Sequence, residues 1–283
     1  MSRETSVELE ILEAGYCTHP KAIVLPGSSF APMRFPANVA LIRHPREGVI
    51  LFDTGYSTRF HALTQRLPEK LYALVTPVSI ETGQDAKDLL ALRGIQTSDV
   101  RHVVLSHFHA DHVGGAIDFP KAQIHADLEA FKRIHAMPKL RQVLSGYLAG
   151  LFPETIEPRI RTFTSNRKVP TGLIPFPEGY DLFGDESAIA VELPGHSLGH
   201  WGLLLRRSDG TRAFLLGDAA WTHESYREKR YPSSITRLLF SDSSEYHHTI
   251  DRIHDVWKAD SKIELLPCHC EISGKIKSER GSP

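Results

Sequence analysis

The chain has 283 residues, 41% of them apolar and 24% charged, and a formal net charge of −1. That balance fits a folded protein with a substantial core and gives no electrostatic case for nucleic acid or an anionic membrane as partner. Three cysteines (Cys17, Cys268 and Cys270) are too few for a disulfide framework. With no signal-like start and no apolar run of about 18 residues, the expected location is the cytoplasm.

Val7–Leu12 alternates apolar and polar residues, the period of a half-buried strand. Residues 18–37 carry four prolines and Gly27 and read as a loop. Asn38–Ile42 and Val49–Phe52 follow as strands, and Gln84–Arg93 as a helix stopped by Gly94. Arg101–Leu105 is an apolar strand, Gln123–Ala126 a short one, and Leu128–Ala136 a helix. Residues 137–180, interrupted by several prolines, read as an inserted helical and loop segment within one domain spanning 1–283. Strands Ile189–Leu193, Trp201–Leu205 and Ala213–Leu216 come next. A helix from Ser244 to Ala259 then places Ile250, Ile253 and Trp257 in the core, and Ile263–Leu266 is the last strand. Strands and helices mix in both halves without a regular alternating rhythm, which points to an α+β architecture of layered sheets with helices outside. No role is assigned to the tail Arg280–Pro283.

The densest chemistry follows the strand Arg101–Leu105. Residues 107–112 read His107-Phe108-His109-Ala110-Asp111-His112, three imidazoles and a carboxylate within six residues. Imidazole with carboxylate suits zinc, manganese or iron. In an extended segment His107 and His109 share one side, and Asp111 and His112 are free to turn toward a second ion. Four more polar residues sit where apolar strands end: Asp53, His196, Asp218 and His269. Adjacent glycines at 55, 195 and 217 allow the sharp turns that crowded ligands need. His200 reads as a buried hydrogen-bonding neighbour of the site. His223, His247 and His248 read as surface or loop histidines, and Cys268 and Cys270 as small side chains turned away from His269.

This ordered set resembles the metallo-β-lactamase superfamily of metallohydrolases, over roughly residues 38 to 269. The resemblance implies an αββα sandwich of two similar halves. It implies one ion on His107, His109 and His196, another on Asp111, His112 and His269, and Asp218 bridging them. Asp53 and His200 would lie behind these ligands and orient them. The cofactor is then two divalent ions, zinc first, with manganese or iron as alternatives. A shared water activated to hydroxide would attack the substrate, and Asp111 would pass a proton to the leaving group.

Fourteen residues follow His269, too few for the extra domains of the larger relatives. The compact form is most similar to the N-acyl homoserine lactonases, so the expected reaction is opening of a small lactone or ester. Those enzymes carry a tyrosine three residues after the bridging aspartate, where this chain has Trp221. Phe108, Trp221 and Tyr226 are the expected substrate contacts. Two alternatives stand beside this reading. One is a phosphodiester or organophosphate hydrolase, with Arg227 or Arg237 as its cationic group. The other is a metal-containing small-molecule-binding effector with little turnover. The expected partner is a small-molecule substrate, with neither nucleic acid nor membrane, and a homodimer is open through the 137–180 segment.

Overall fold

A computed structural model describes residues 5–271. The tail Arg280–Pro283 and the ends of the 1–283 domain lie outside the described residues.

Among the described residues, thirteen strands form two sheets. The first contains β1 (Glu8–Pro20), β2 (Pro32–His44), β3 (Gly48–Phe52), β4 (Val78–Ser79), β5 (Val100–Val104), β6 (Gln123–His125) and β7 (Ile160–Arg161), in the order β4-β1-β2-β3-β5-β6-β7. The second contains β8 (Arg167–Leu173), β9 (Phe176–Asp181), β10 (Ala188–Glu192), β11 (Trp201–Arg206), β12 (Arg212–Gly217) and β13 (Ile263–Pro267), in the order β13-β12-β11-β10-β9-β8.

The period of two along each strand builds the layers. Ile50 and Phe52 of β3, Val104 of β5, Leu203 and Leu205 of β11, and Ala213 and Leu215 of β12 meet in the core between the sheets. Their neighbours Leu51 and Val103 face the helices outside the first sheet. Leu204, Phe214 and Leu216 face the helix Ser243–Ala259 outside the second. Strands apolar on both faces are what a sheet covered on both sides requires. The result is an αββα sandwich, as the sequence reading expects.

The helix Ser243–Ala259 starts where the Asp242 carboxylate accepts hydrogen bonds from the N–H groups of Ser244 and Glu245 at 2.9 and 3.0 Å. It buries Tyr246, Ile250, Ile253 and Val256, each apolar side chain contributing roughly 1.5–3 kcal/mol. Trp257 departs from expectation. It is 37% exposed, one position past the buried stripe that Val256 completes.

Two loop readings are also corrected. Residues 18–20 and 32–37 are the paired ends of β1 and β2, in register through Pro20 opposite Pro32, with the short helix Lys21–Val24 and a turn between them. Within 137–180, the helix Lys139–Leu144 is present, but residues 160–161, 167–173 and 176–180 are strands. Pro170 is tolerated because β8 is an edge strand, and Pro177 because β9 pairs with β10 only through Tyr180 and Asp181. Val169, Thr171 and Leu173 alternate inward along β8, a pattern that the prolines obscure in the sequence. Among the described residues, no helix is long and apolar enough to cross a membrane.

Candidate metal centre

β3 and β5 run parallel in the first sheet, and β12 and β13 run parallel in the second. β10 shares the direction of β12, because each is antiparallel to β11. The C-terminal ends of these strands therefore lie on one rim, and the loops that leave them carry Asp53, His107–His112, His196, Asp218 and His269.

The side chains converge. Donor atoms of His107, His109, His196 and Asp218 all lie within 4.8 Å of one another, and so do those of His112, Asp218, Cys268 and His269. Asp218 belongs to both groups. His196 Nε2 is 3.1 Å from His109 Nδ1 and 3.2 Å from Asp218 Oδ2. His112 Nε2 and His269 Nε2 lie 3.3 and 3.0 Å from Asp218 Oδ1. Asp111 Oδ2 stands 3.4 Å from His269 Nε2 and 3.6 Å from His112 Nε2.

The surroundings decide which ring nitrogen each histidine presents. Asp53 is fully buried, in the left-handed region at φ 58°, and is held there by three hydrogen bonds. Its carboxylate accepts from Ser106 N, Ser106 Oγ and His112 Nδ1, each at 2.8 Å. Because the Ser106 hydroxyl donates to Asp53, it accepts from His107 Nδ1 at 2.9 Å. His269 Nδ1 donates to the Pro36 carbonyl at 2.8 Å. All three rings are thus anchored through Nδ1–H and turn Nε2 toward the cluster. Nε2 of His107 and of His112 is buried and has no hydrogen-bond partner. Buried imidazole nitrogens turned toward a shared carboxylate with no other partner are what a pair of divalent ions needs, and the residues fit such a centre.

The electrostatics agree. Burial, and then the neighbouring imidazoles, hold His107 and His109 well below the usual histidine range, so both are neutral. Burial also opposes charge on His112, but Asp111, Asp53 and Asp218 overcome it and raise that ring well above the usual range. His269 is raised in the same way, chiefly by Asp218. Burial alone would raise Asp218, yet His269, His112 and His196 hold it well below the usual carboxylate range. Cations bound here would take the place of the imidazolium protons.

The neighbouring loops are clamped. The N–H groups of Asp242 and Ser241 donate to the carbonyls of Gly195 and His196. Gly195 sits at φ 116°, and a Cβ there would lie 2.1 Å from Tyr246 N, so the turn into His196 demands glycine. On the opposite side, Ala110 N donates to the Gly146 carbonyl, which brings the 137–180 segment against His109.

Several sequence expectations land elsewhere. His200 is buried beside the cluster as expected, and its Nε2 accepts from Asp218 N at 3.0 Å. Phe108 points away from the site, as alternation between His107 and His109 requires, and packs against Phe131 and Phe152 in the core. Tyr226 is 1% exposed in the core beneath the second sheet. Its hydroxyl is paired with His223 Nδ1 at 2.9 Å, so it is not a substrate contact and His223 is not a loop histidine. Trp221 does reach the cluster, where its indole N–H donates to Asp218 Oδ2 at 3.2 Å. Cys268, expected to turn away, lies beside the second group and directs its thiol at the Asn38 carbonyl, 3.6 Å away. Arg227 is exposed and stacks over Tyr226, while the side chain of Arg237 lies outside the described residues. Ser106 and the Pro36 carbonyl were not singled out from the sequence. The one signal for Ser106 is a hydroxyl placed immediately before the first histidine.

Comparison with known proteins reaches the same architecture. A probable metallo-hydrolase of Mycobacterium bovis is 32% identical over 163 residues, 54% of this chain, which spans about half of that protein's length (47%). The N-acyl homoserine lactonase AttM of Azorhizobium caulinodans is 28% identical over 209 residues, 74% of each chain. Among solved structures, an N-acyl homoserine lactone hydrolase with the product N-hexanoyl-L-homoserine at its catalytic metal centre superposes with a TM-score of 0.71. It covers 99% of this chain and 97% of that one at 18% identity, a likeness of fold. The family model of the metallo-beta-lactamase superfamily matches residues 32–256, a span that includes every histidine and aspartate of the cluster except His269, and the chain belongs to that superfamily.

Proposed function

We propose that this chain is a metal-dependent hydrolase that opens small lactones or esters, with N-acyl homoserine lactones as the leading substrate class. The observation that carries the reading is the pair of donor groups sharing Asp218, with histidine nitrogens turned inward by buried partners. The relatives named as lactonases support the substrate class.

In this reading His107, His109 and His196 hold one divalent ion, Asp111, His112 and His269 hold the other, and Asp218 faces both. Zinc is the proposed ion. Two such ions supply Lewis acidity toward the substrate carbonyl and a nucleophilic water at neutral pH. The chain's own contribution is to fix geometry and manage protons. Asp53 and Ser106 lock the rings of His112 and His107, so little reorganisation accompanies the reaction. Asp111 lies on the His112–His269 side, where its carboxylate carries a proton to the departing alkoxide of the opened ring.

The test is proton release on adding N-hexanoyl homoserine lactone to zinc-loaded protein, with a phosphodiester assayed in parallel. The expected result is lactone opening that disappears in His109→Ala. Phosphodiester cleavage with no lactone opening moves the assignment to phosphoester chemistry. Failure on both with zinc bound favours an effector role.

A further inference from the structure

We propose that Trp221 is a positioning residue for the ions, acting through Asp218, rather than a substrate contact. The inference rests on the dimetal reading above and concerns a residue to which that reading gives no part. Two contacts carry it. The indole N–H donates to Asp218 Oδ2 at 3.2 Å, and the ring packs edge-on against His196 with centroids 6.0 Å apart. Trp221 therefore touches the shared carboxylate and one imidazole of the first group together. Phe240 and Tyr246 brace its ring at 5.5 and 6.3 Å.

An indole has one donor and no acceptor. With that donor directed at Asp218, position 221 has no N–H left to orient a substrate carbonyl. The carboxylate oxygen has two lone pairs, so it can accept the indole N–H and still face an ion. Asp218 is held at a second point as well, since its backbone N–H donates to His200 Nε2 at 3.0 Å. His200 fixes the backbone and Trp221 fixes the rotation of the carboxylate about its last bond. A shared carboxylate free to rotate would serve one ion at the expense of the other. Restraining that rotation keeps both sites competent.

The test uses the full chain with Zn2+ alone as the probe. Trp221→Phe keeps a ring against His196 and removes only the donor. Zinc affinity, measured by competition with a chromophoric chelator, is expected to fall at least ten-fold, the usual cost of losing a group that orients a metal ligand. With N-hexanoyl homoserine lactone, kcat is expected to fall while KM stays near its wild-type value, because the lost contact is not to substrate. A second measurement does not depend on how the variant folds. In 15N-labelled wild-type protein, the Trp221 indole N–H resonance is expected to shift on zinc addition. Unchanged zinc affinity in Trp221→Phe, or an indole resonance that zinc does not move, overturns the proposal. Zinc binding with the expected affinity loss but without lactone opening leaves Trp221's role standing and removes the lactonase reading. Failure of wild-type protein to bind zinc removes both.

Discussion

Asp53 touches no proposed substrate, yet its replacement by asparagine is expected to weaken the ions selectively. The carboxylate accepts three hydrogen bonds, from Ser106 N, Ser106 Oγ and His112 Nδ1, all at 2.8 Å. Asparagine tolerates the left-handed backbone at φ 58°, so the strand end keeps its shape. Its carbonyl oxygen still accepts from Ser106 N. Its amide, however, places N–H groups where Ser106 Oγ and His112 Nδ1 had donated. His112 then moves its proton to Nε2, the nitrogen 3.3 Å from Asp218 Oδ1, and that nitrogen can no longer hold an ion. The reverse amide orientation sets an N–H against the Ser106 N–H and loses that bond instead. The expected loss of zinc affinity is about 10–100-fold, or roughly 1.4–2.8 kcal/mol. Chelator competition measures it, and elemental analysis after dialysis counts the retained ions. Asp53→Asn protein that keeps two ions at wild-type affinity would refute the tautomer argument.

Two further outcomes follow from the geometry. Gly146 lies at φ 75°, and a Cβ there would stand 2.6 Å from His109 Cδ2 and 2.9 Å from Nε2. Gly146→Ala is therefore expected to cost about 1–2 kcal/mol in backbone strain alone and to displace His109, read as a lower melting temperature together with weaker zinc binding. A melting temperature that falls with zinc affinity intact would separate the strain from the displacement and remove the second claim. The third outcome concerns acid stability and His125, the last residue of β6. Burial, then His102 and Arg161, lower His125 from its usual value to about 3. The folded state resists a proton that the unfolded chain accepts, so this contribution is complete above pH 6.5 and is lost progressively as pH falls toward 3. Its full size is on the order of 5 kcal/mol. In His125→Gln, the denaturant midpoint is expected to depend less steeply on pH between 6.5 and 5, and an unchanged slope would count against it.

The residues that converge in the cluster were legible in the sequence because they follow the ends of apolar strands at turns, a local signal. The layered fold was legible for a related reason, since strands buried on both faces must be apolar throughout. The substrate contacts were harder to read because a side chain's direction belongs to tertiary structure. Proximity in sequence drew Tyr226 toward the site, but one turn of helix carries it into the core against His223. Trp221, singled out as a substrate contact, lies beside the cluster, while the partner of its N–H, a carboxylate three residues back, was not foreseen. The 137–180 segment misled through its prolines, which break a central strand but fit an edge.

The cluster draws on both sheets, and several of its contacts join residues far apart in the chain: His109 with His196, His112 with Asp218, and Pro36 with His269. Contacts of such long sequence separation form late in folding, because the largest loops must close before any of them is made. An ion added to a refolding chain would meet only the local group His107–His112 until the two layers dock, so completion of the full donor set would mark the end of folding. A zinc-sensitive signal followed through refolding would thereby time the union of the two halves, a step that helix-sensitive optical probes register only indirectly.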